Sequence, residues 1–242
     1  MLTQRWRLIL ARSRDAPDLG QRDLLATWEA TLEAAGLRDP TAAEQPKLAF
    51  AAAISAGLTA DRELVDLLLP QRRTAIDVRT RIASHLPAGH ALVDLHDVWL
   101  GEPALPGLVV AGDYRVEVTA TPANGDEGGM PALPPGALAT AAEIFMAAEV
   151  IPRPAMRANR HRDGNLCELV DHVAALSDDE LWMRLRFDPV LGTGRPEEVV
   201  AALGLLAGQP LSAVRRHRER LWLKGEERAG IARPQRGPRS AV

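Results

Sequence analysis

The same order of hydrophobic patterns occurs twice along this chain, and that order limits which folds the chain can form. In the first half, apolar Trp6, Leu8 and Leu10 alternate with other residues, as in a strand with one buried face. A helical four-residue spacing follows, and Gly36 is placed to end that helix. The complete series reads strand, helix, strand, strand, helix, strand over residues 5–10, 19–35, 46–54, 63–69, 74–86 and 91–100.

The second half repeats this series, although few residues are identical between the halves. Its predicted elements lie over residues 113–120, 138–148, 166–173, 181–187, 196–206 and 214–223. Each half has the element order of a ferredoxin-like unit, a four-stranded antiparallel sheet with two helices on one face. We therefore predict an α+β protein of two tandem ferredoxin-like (βαββαβ) units with antiparallel sheets. The units cover residues 1–104 and 105–226, and a disordered basic tail covers 227–242.

A single cysteine among 242 residues excludes several kinds of site. Cys167 cannot form an internal disulfide, and it cannot alone hold an iron–sulfur cluster or a cysteine-rich zinc ion. The motifs that mark nucleotide-binding, serine-hydrolase and zinc-protease chemistry are also absent from the sequence. We therefore expect no metal, no cofactor and no catalytic residue, and we expect Cys167 to be a small buried residue of a strand.

The distribution of apolar residues bears on where the protein works. No run of 18 apolar residues occurs, so a membrane-spanning helix is excluded. The first residues lack the apolar core of a secretory signal, and a single cysteine suits a reducing compartment. We therefore expect a cytoplasmic protein with no membrane partner. A composition of 46% hydrophobic and 25% charged residues also excludes a wholly disordered chain.

A short segment with acidic residues and histidines is a candidate metal site. Asp94, His96 and Asp97 lie close together in the sequence, and His90 precedes them. On a strand, Asp94 and His96 share one face while Asp97 points to the other. No second cluster of ligands can be placed beside them, so we interpret the segment as a surface strand.

The strand predicted over 181–187 gives the strongest indication of a binding surface. Its apolar residues share one face, while a tryptophan and two arginines share the other. The ferredoxin-like order places two further arginine-bearing strands beside it. An aromatic residue surrounded by arginines on an open sheet is how RNA-recognition modules stack bases and neutralise phosphates. The predicted RNA-binding residues of this surface are Trp182, Arg184, Arg186, Arg115, Arg216 and Arg218.

An alternative interpretation of this surface remains open. The face could pack on the other half of the protein, with its arginines paired to Glu117 and Glu219. A second candidate for anion binding is Gly192, Gly194 and Arg195, because free N–H groups at the start of a helix bind anions. The alternative for that segment is a tight structural turn.

Positive charge is concentrated toward the end of the chain. From Arg215 onward, eight arginines and Lys224 stand against three glutamates, which gives +6 here and −9 in the remainder. A second basic segment contains Arg157, Arg160 and Arg162, together with Arg153 and His161. Both segments indicate an anionic partner such as RNA, or else solvated chain without a partner. His161 among these arginines could also act as the acid of a metal-independent ribonuclease.

Short motifs along the chain match one known family. They are Ala34-Ala35-Gly36-Leu37, Pro46-Lys47-Leu48-Ala49-Phe50, Leu86-Pro87-Ala88-Gly89, Asp113-Tyr114-Arg115-Val116 and Gly194-Arg195-Pro196-Glu197-Glu198-Val199. Through them the chain resembles the bacterial radical SAM-linked domain of unknown function. The Ser-His-x-Asp start of that family's first helix is replaced here by Gly20-Gln21-Arg22-Asp23, so the resemblance is to a divergent, stand-alone member.

The resemblance implies a partner and no particular reaction. Relatives are fused to a radical SAM protein or encoded beside one, and they often lie near genes for ribosomal proteins and RNA processing. The leading hypothesis is therefore a non-catalytic binding module that presents RNA to a separate radical SAM enzyme. The alternatives are a protein-interaction domain that does not contact RNA, and a metal-independent RNA-processing enzyme.

Overall fold

A computed structural model describes residues 2–121, 133–153 and 164–226, and it shows a mixed α/β fold. The first half contains β1 (Gln4–Arg12), α1 (Gln21–Ala34), β2 (Lys47–Phe50), β3 (Leu58–Leu69), α2 (Ala75–Ala83) and β4 (His90–Val98). The second half contains β5 (Val109–Ala120), α3 (Ala137–Ala147), β6 (Val170–Ala175), β7 (Glu180–Asp188), β8 (Gly192–Thr193), α4 (Pro196–Leu206) and β9 (Leu211–Leu223). The predicted order of elements is confirmed, with the two-residue β8 as an addition.

The helices form where the sequence places an apolar stripe beside a suitable cap. Leu24, Trp28 and Leu32 of α1 recur at four-residue spacing and are buried in the core of the first half. Helix α2 begins after the predicted cap Thr74, whose hydroxyl accepts a hydrogen bond from the N–H of Asp77 at 3.2 Å. Helices α3 and α4 bury their predicted stripes together against β5, β6 and β7.

The strands of the described residues form one nine-stranded sheet rather than two separate sheets. The strand order is β4-β1-β3-β9-β5-β7-β6, with β2 paired to β3 and β8 paired to β7. Pairing is antiparallel within each half, whereas β3 and β9 are parallel where residues 58–60 meet residues 216–218. The parallel seam departs from the predicted antiparallel sheets of two tandem units, and it forms because β3 is longer than the predicted strand over 63–69. Its added first residues lie along β9.

The seam between β3 and β9 is stabilised by a buried ion pair. The Nε and Nη2 atoms of Arg218 donate to the two carboxylate oxygens of Glu63, each at 2.6 Å. Both side chains are less than 5% exposed, and the hydroxyl of Tyr114 lies 3.4 Å from the same guanidinium. Burial lowers the pKa of Arg218, but the charges and hydrogen bonds of Glu63 and Tyr114 together outweigh that effect, so the pKa lies above its ordinary value. The guanidinium of Arg218 therefore stays charged inside the protein.

Apolar contacts also join the halves beside this seam, and polar contacts are buried within the first half. Ile9 and Leu64 of the first half pack with Val109 and Leu221 of the second half in a separate small core. On the same face of β1, Arg5 and Arg7 both donate to the buried carboxylate of Asp66. The arginines that alternate with the apolar residues of β1 are thus buried and paired, and they do not form a solvated face.

Two other expectations from the sequence concern residue placement. Cys167 is buried as predicted, but it lies in a short 3-10 turn, Leu166–Leu169, instead of a strand. The predicted basic tail over 227–242 lies outside the described residues. Within the described ranges, none of the helices is long and apolar enough to cross a membrane.

The seam predicts a large stability cost when its ion pair is broken. Glu63→Gln leaves the buried charge of Arg218 without a counter-charge, and we expect the free energy of unfolding to fall by about 3–5 kcal/mol. Urea unfolding followed by circular dichroism measures this loss. The double variant Glu63→Leu/Arg218→Met should recover most of it, because neither buried charge remains.

Asp94→Asn provides the control, since it breaks an exposed ion pair with Arg79. We expect that variant to lose less than about 1 kcal/mol. If Glu63→Gln unfolds at the same urea concentration as Asp94→Asn, the ion pair does not stabilise the seam.

Candidate functional site

One face of the second-half sheet has no helix of the described residues packed on it. Tyr114, Val116 and Met183 point to the opposite side and are buried in the core with α3 and α4. The alternate positions of β5 and β7 therefore point away from the helices. We call this surface the open sheet face, and its residues are Asp113, Arg115, Trp182, Arg184, Arg186, Glu219, Arg220 and Trp222.

Cross-strand pairing arranges the open sheet face in rows that run across β7, β5 and β9. The rows are Trp182–Arg115–His217, Arg184–Asp113–Arg220 and Arg186–Ala111–Trp222. Side chains opposite each other in an antiparallel pair lie about 5 Å apart at Cβ. Each row therefore brings its side chains into mutual reach.

A bulge in β9 determines which arginines reach the open sheet face. Asp113 is opposite Arg220, whereas the next residue, Tyr114, is opposite Arg218. Glu219 is therefore an extra residue in β9, and the alternation of faces is interrupted at this point. Arg220 lies on the open sheet face, and Arg218 points to the helix side.

The prediction that Arg216 and Arg218 share the face of Trp182 is wrong for this reason. Arg218 is buried at the seam with Glu63, and Arg216 pairs with Glu197 of α4. The strand pairing places Arg216 and Arg218 on the face of the sheet opposite to that of Trp182. The predicted positions of Arg184, Arg186 and Arg115 on the face of Trp182 agree with the structure.

Trp182, Arg184 and Trp222 form a stack along the open sheet face. The guanidinium carbon of Arg184 lies 5.6 Å from the ring centre of Trp182 and 4.6 Å from that of Trp222. A second guanidinium, that of Arg220, lies 4.0 Å from the Trp222 ring centre. Arginine over an indole ring is a favourable cation–π arrangement. The stack places two aromatic rings on one surface, where the sequence indicates only one.

Both indole rings are oriented by hydrogen bonds. The Nε1 of Trp182 donates to Glu219 at 3.0 Å, and the Nε1 of Trp222 donates to Asp113 at 2.8 Å. Both side chains are half-buried. With the N–H groups satisfied, what each ring offers to a ligand is its aromatic surface.

The arginines of the open sheet face are paired with carboxylates. Arg184 donates to both oxygens of Asp113, at 2.6 and 2.8 Å, and this hydrogen bonding raises the pKa of Arg184. Arg186 donates to Asp171 at 2.5 Å. The remaining pairs are Arg115 with Glu219 and Arg220 with Glu226. The predicted arginine surface is thus close to neutral, and the predicted pairing of arginines with glutamates occurs without burial of the face.

A groove of about 760 Å³ lies at the seam, next to the open sheet face. We call it the seam groove. Its charged and polar lining is Arg12, Ser13, Arg14, Asp18, Thr59, Asp61, Arg115, Glu117, Glu180, Arg215, Arg216 and His217. Both halves contribute residues, and Arg115 belongs to the groove and to the open sheet face. The two surfaces are therefore continuous.

His217 connects the halves inside the seam groove. Its Nδ1 lies 2.9 Å from the hydroxyl of Thr59, and its Nε2 lies 3.1 Å from Asp61. Both ring nitrogens thus have a partner on β3. This arrangement orients the imidazole across the seam.

The predicted anion site before α4 is filled by the protein's own contacts. Gly194 packs so closely that a Cβ at this position would lie 2.6 Å from the carbonyl oxygen of Leu169. The first turn of α4 carries Glu198, which accepts from the buried Arg153 at 2.7 Å. Arg195 is exposed, while Gly192 begins the short strand β8. These contacts favour the alternative of a structural turn.

The basic segment of the sequence is only partly within the described residues. Arg153 is buried and paired with Glu198, so it is not part of a solvated loop. Arg157, Arg160, His161 and Arg162 lie outside the described residues. Within the described ranges, no group of three or more His, Cys, Asp or Glu residues is arranged to hold a metal ion. Asp94 instead pairs with Arg79.

Sequence reasoning missed the second tryptophan of the site and the carboxylates that orient both rings. Trp222 lies on the predicted strand over 214–223, and regular alternation would put it on the side of Arg216 and Arg218, which the sequence predicts to be the open face. The signal that was present is the pair Arg220 and Trp222 at a spacing of two. That spacing indicates a shared face whichever face the strand presents.

Asp113 orients both Arg184 and Trp222, and its removal predicts a measurable loss of stability. For Asp113→Ala we expect the free energy of unfolding to fall by about 1–3 kcal/mol, because the hydrogen bonds to a charged group are lost. Urea denaturation followed by tryptophan fluorescence measures the effect. Glu117→Ala is the matched control, since its pair with Arg215 is exposed and contributes less than about 1 kcal/mol. Equal midpoints for the two variants would contradict the role of Asp113.

Comparisons with solved structures give likenesses at low sequence identity. A Cbf5-Nop10-Gar1 complex aligns over 88% of this chain with a TM-score of 0.44 and 10% identity. An H/ACA RNP bound to a substrate RNA aligns over 88% with a TM-score of 0.41 and 10% identity. This chain spans about half of those chains, 48% and 47%. A Cas6 product complex aligns over 89% of this chain and 100% of its own, with a TM-score of 0.27 and 13% identity.

Comparison with curated proteins finds no match to this chain. A family model described as an uncharacterized protein conserved in bacteria, DUF2344, matches residues 5–199. That description names neither a reaction nor a partner enzyme. The matched range includes the seam strand β3 and the stack residues Trp182 and Arg184, and it covers well over half of the chain. The chain therefore belongs to this family of bacterial proteins, DUF2344.

Proposed function

We propose that this protein is a non-catalytic binding module whose open sheet face stacks the bases of a single-stranded RNA. The observation that carries the proposal is the stack of Trp182, Arg184 and Trp222 on a helix-free sheet face. Stacking on exposed aromatic rings is how sheet-based modules hold unpaired bases, and a guanidinium plane serves the same purpose. Two rings oriented by hydrogen bonds offer a base a surface that needs little reordering.

The charges of the face favour stacking over phosphate binding as the main source of affinity. Each arginine of the open sheet face has a carboxylate partner, so the surface provides little net positive charge. Within the described residues, Arg186 donates to Asp171 through its Nε, and its other N–H groups remain able to donate to a phosphate. We therefore expect RNA affinity with a weak dependence on salt.

The end of the sequence is a further source of positive charge. Residues 227–242, which lie outside the described residues, contain four arginines and one glutamate. The predicted sites Arg157, Arg160 and Arg162 stay part of the proposal as sequence-based candidates.

We further propose that the two halves, residues 1–104 and 105–226, are ferredoxin-like units that share one sheet. In the first half β1 lies between β4 and β3, and β2 pairs on the far side of β3. In the second half β5 lies between β9 and β7, and β6 pairs on the far side of β7. Both arrangements have the antiparallel order expected of that unit. The parallel seam then joins two units edge to edge.

The cellular setting of the module is proposed from sequence. The resemblance to radical SAM-linked domains supports a role in presenting RNA to a separate radical SAM enzyme. The single cysteine supports work in the cytoplasm. Both proposals would be tested by a pulldown from native cells scored for RNA and for a radical SAM protein.

A protein partner on the same face is the second candidate function. The observation that favours it is the complete pairing of the face's arginines, which makes the surface nearly neutral. Tryptophan and arginine are also the residues most enriched at the energetic centres of protein interfaces. Because the face is nearly neutral in both cases, RNA binding and protein binding are distinguished by the chemistry of the probe.

Removing either tryptophan of the stack tests the RNA proposal. For Trp182→Ala and Trp222→Ala we expect each variant to lose about 1–3 kcal/mol of binding free energy toward a short single-stranded RNA. Fluorescence anisotropy at several salt concentrations measures the affinity and its salt dependence. Trp99→Ala is the matched control, because Trp99 is exposed and lies outside the open sheet face.

The outcomes of this experiment separate the two candidate functions. RNA affinity that falls for both stack variants and stays constant for Trp99→Ala supports stacking of bases. No detectable RNA binding by the unaltered protein, with a radical SAM protein still captured from cells, favours the protein-interaction function. Affinity that is the same in all three variants contradicts the proposed site.

A further inference from the structure

The seam groove continues the open sheet face toward the first half of the protein. Trp182, Arg115 and His217 occupy one cross-strand row, and Thr59 of β3 pairs with His217. The row therefore leads from the stack, across β5 and β9, to β3. At about 4.8 Å per strand, β3 lies roughly 14 Å from β7. A strand of RNA whose base lies on Trp182 would reach the groove with its next residues.

Several groups of the groove have hydrogen-bonding capacity that the described residues do not use. Asp61 is 65% exposed, and its contact within the described ranges is that of one carboxylate oxygen with His217. Arg14 is exposed and has no ion-pair or hydrogen-bond partner in the part of the chain that the structure describes. The Nε of the buried Arg12 also lacks a partner among the described residues. Among the described residues, the groove thus presents a free acceptor on Asp61 and free donors on Arg14.

The groove offers acceptors as well as cations to an RNA. Asp61, Glu117 and Glu180 line it beside Arg14 and Arg115. Phosphates along any part of a strand find donors in such arginines, whereas a hydroxyl-rich end also needs acceptors, and an ionised carboxylate accepts at both oxygens.

The position of Asp61 brings such an acceptor close to the stacking surface. Asp61 and Arg115 both line the seam groove, and Arg115 also belongs to the open sheet face. A ligand that spans Arg115 would meet both surfaces.

We propose that the seam groove binds the 3′-terminal ribose of the RNA strand that stacks on the open sheet face. Asp61 accepts hydrogen bonds from the 2′- and 3′-hydroxyls, and Arg14 donates to the phosphate of the same nucleotide. Only the last ribose of a strand has both hydroxyls free, because every internal 3′-oxygen carries a phosphate. The proposal rests on the proposed RNA-binding function and narrows its ligand to RNA ends with a free diol.

Three labelled oligoribonucleotides of one sequence test the proposal, with a 2′,3′-diol end, a 3′-deoxy end and a 3′-phosphate end. For the unaltered protein we expect the diol end to bind about tenfold more tightly than either other end, as loss of a hydrogen bond to a charged group predicts. Asp61→Asn should reduce that preference to less than about threefold. Asp97→Asn is the matched control, since this exposed carboxylate of β4 lies outside the groove and should leave the preference intact.

Arg14→Ala provides a second, independent variant. Because the terminal nucleotide of all three oligonucleotides carries a 5′ phosphate, we expect it to weaken the three by a similar factor. Both variants should unfold thermally at the same temperature as the unaltered protein. Equal unfolding temperatures would show that the changes in RNA affinity do not come from loss of the fold. Free nucleoside 5′-monophosphate should compete poorly with the diol oligonucleotide, because it cannot also occupy the stack.

Three results would overturn the proposal. The first is equal affinity for the three ends, and the second is a diol preference that survives in Asp61→Asn. The third is displacement of the oligonucleotide by free nucleotide as efficiently as by unlabelled RNA, which would make the groove a nucleotide site. If the ends bind alike while Trp182→Ala still weakens them, the groove proposal fails and the proposed function stands. If none of the oligonucleotides binds, both fail.

Discussion

The buried contact between Arg218 and Glu63 joins two sheets that would otherwise meet along a few residues. The parallel pairing of β3 and β9 extends only over residues 58–60 and 216–218. The ion pair adds two charge-assisted hydrogen bonds across that short seam, in a place where water cannot compete. The seam groove, which both halves line, owes its geometry to this junction. A change in the angle between the halves would alter the groove before it altered either hydrophobic core.

The order of the elements could be predicted because each element has its own local signal. Alternation marks β1 and β7, and the spacing of Leu24, Trp28 and Leu32 marks α1. The merging of two sheets has no such signal. Residues 58–62 read Leu-Thr-Ala-Asp-Arg, which is not an apolar run, and their partner lies more than 150 residues away. The pairing of this polar end of β3 with β9 is determined by tertiary contacts and not by a local sequence pattern.

The residue types of the candidate site could be predicted from the sequence, but their arrangement on the sheet could be predicted only in part. The alternation of β7 correctly gives Trp182, Arg184 and Arg186 a common face, because that strand is regular. The same reasoning fails along β9, where a bulge interrupts the pairing. Charge was also misleading, since a count of arginines does not show that each faces a carboxylate on a neighbouring strand. Asp113 and Asp171 are close to their arginines in space and distant in sequence.

The extra residue Glu219 affects how this surface should be compared among related proteins. If one residue were removed from β9 at the bulge, the strand would return to regular alternation. The side chains on one side of the removed position would then exchange faces, so that buried ones became exposed and exposed ones became buried. Either the indole of Trp222 would enter the core, or Arg218 would leave the seam. A relative can therefore present an equivalent surface with its tryptophan one position earlier and no bulge. Equivalence among such proteins is better judged by the strand register than by aligned residue columns.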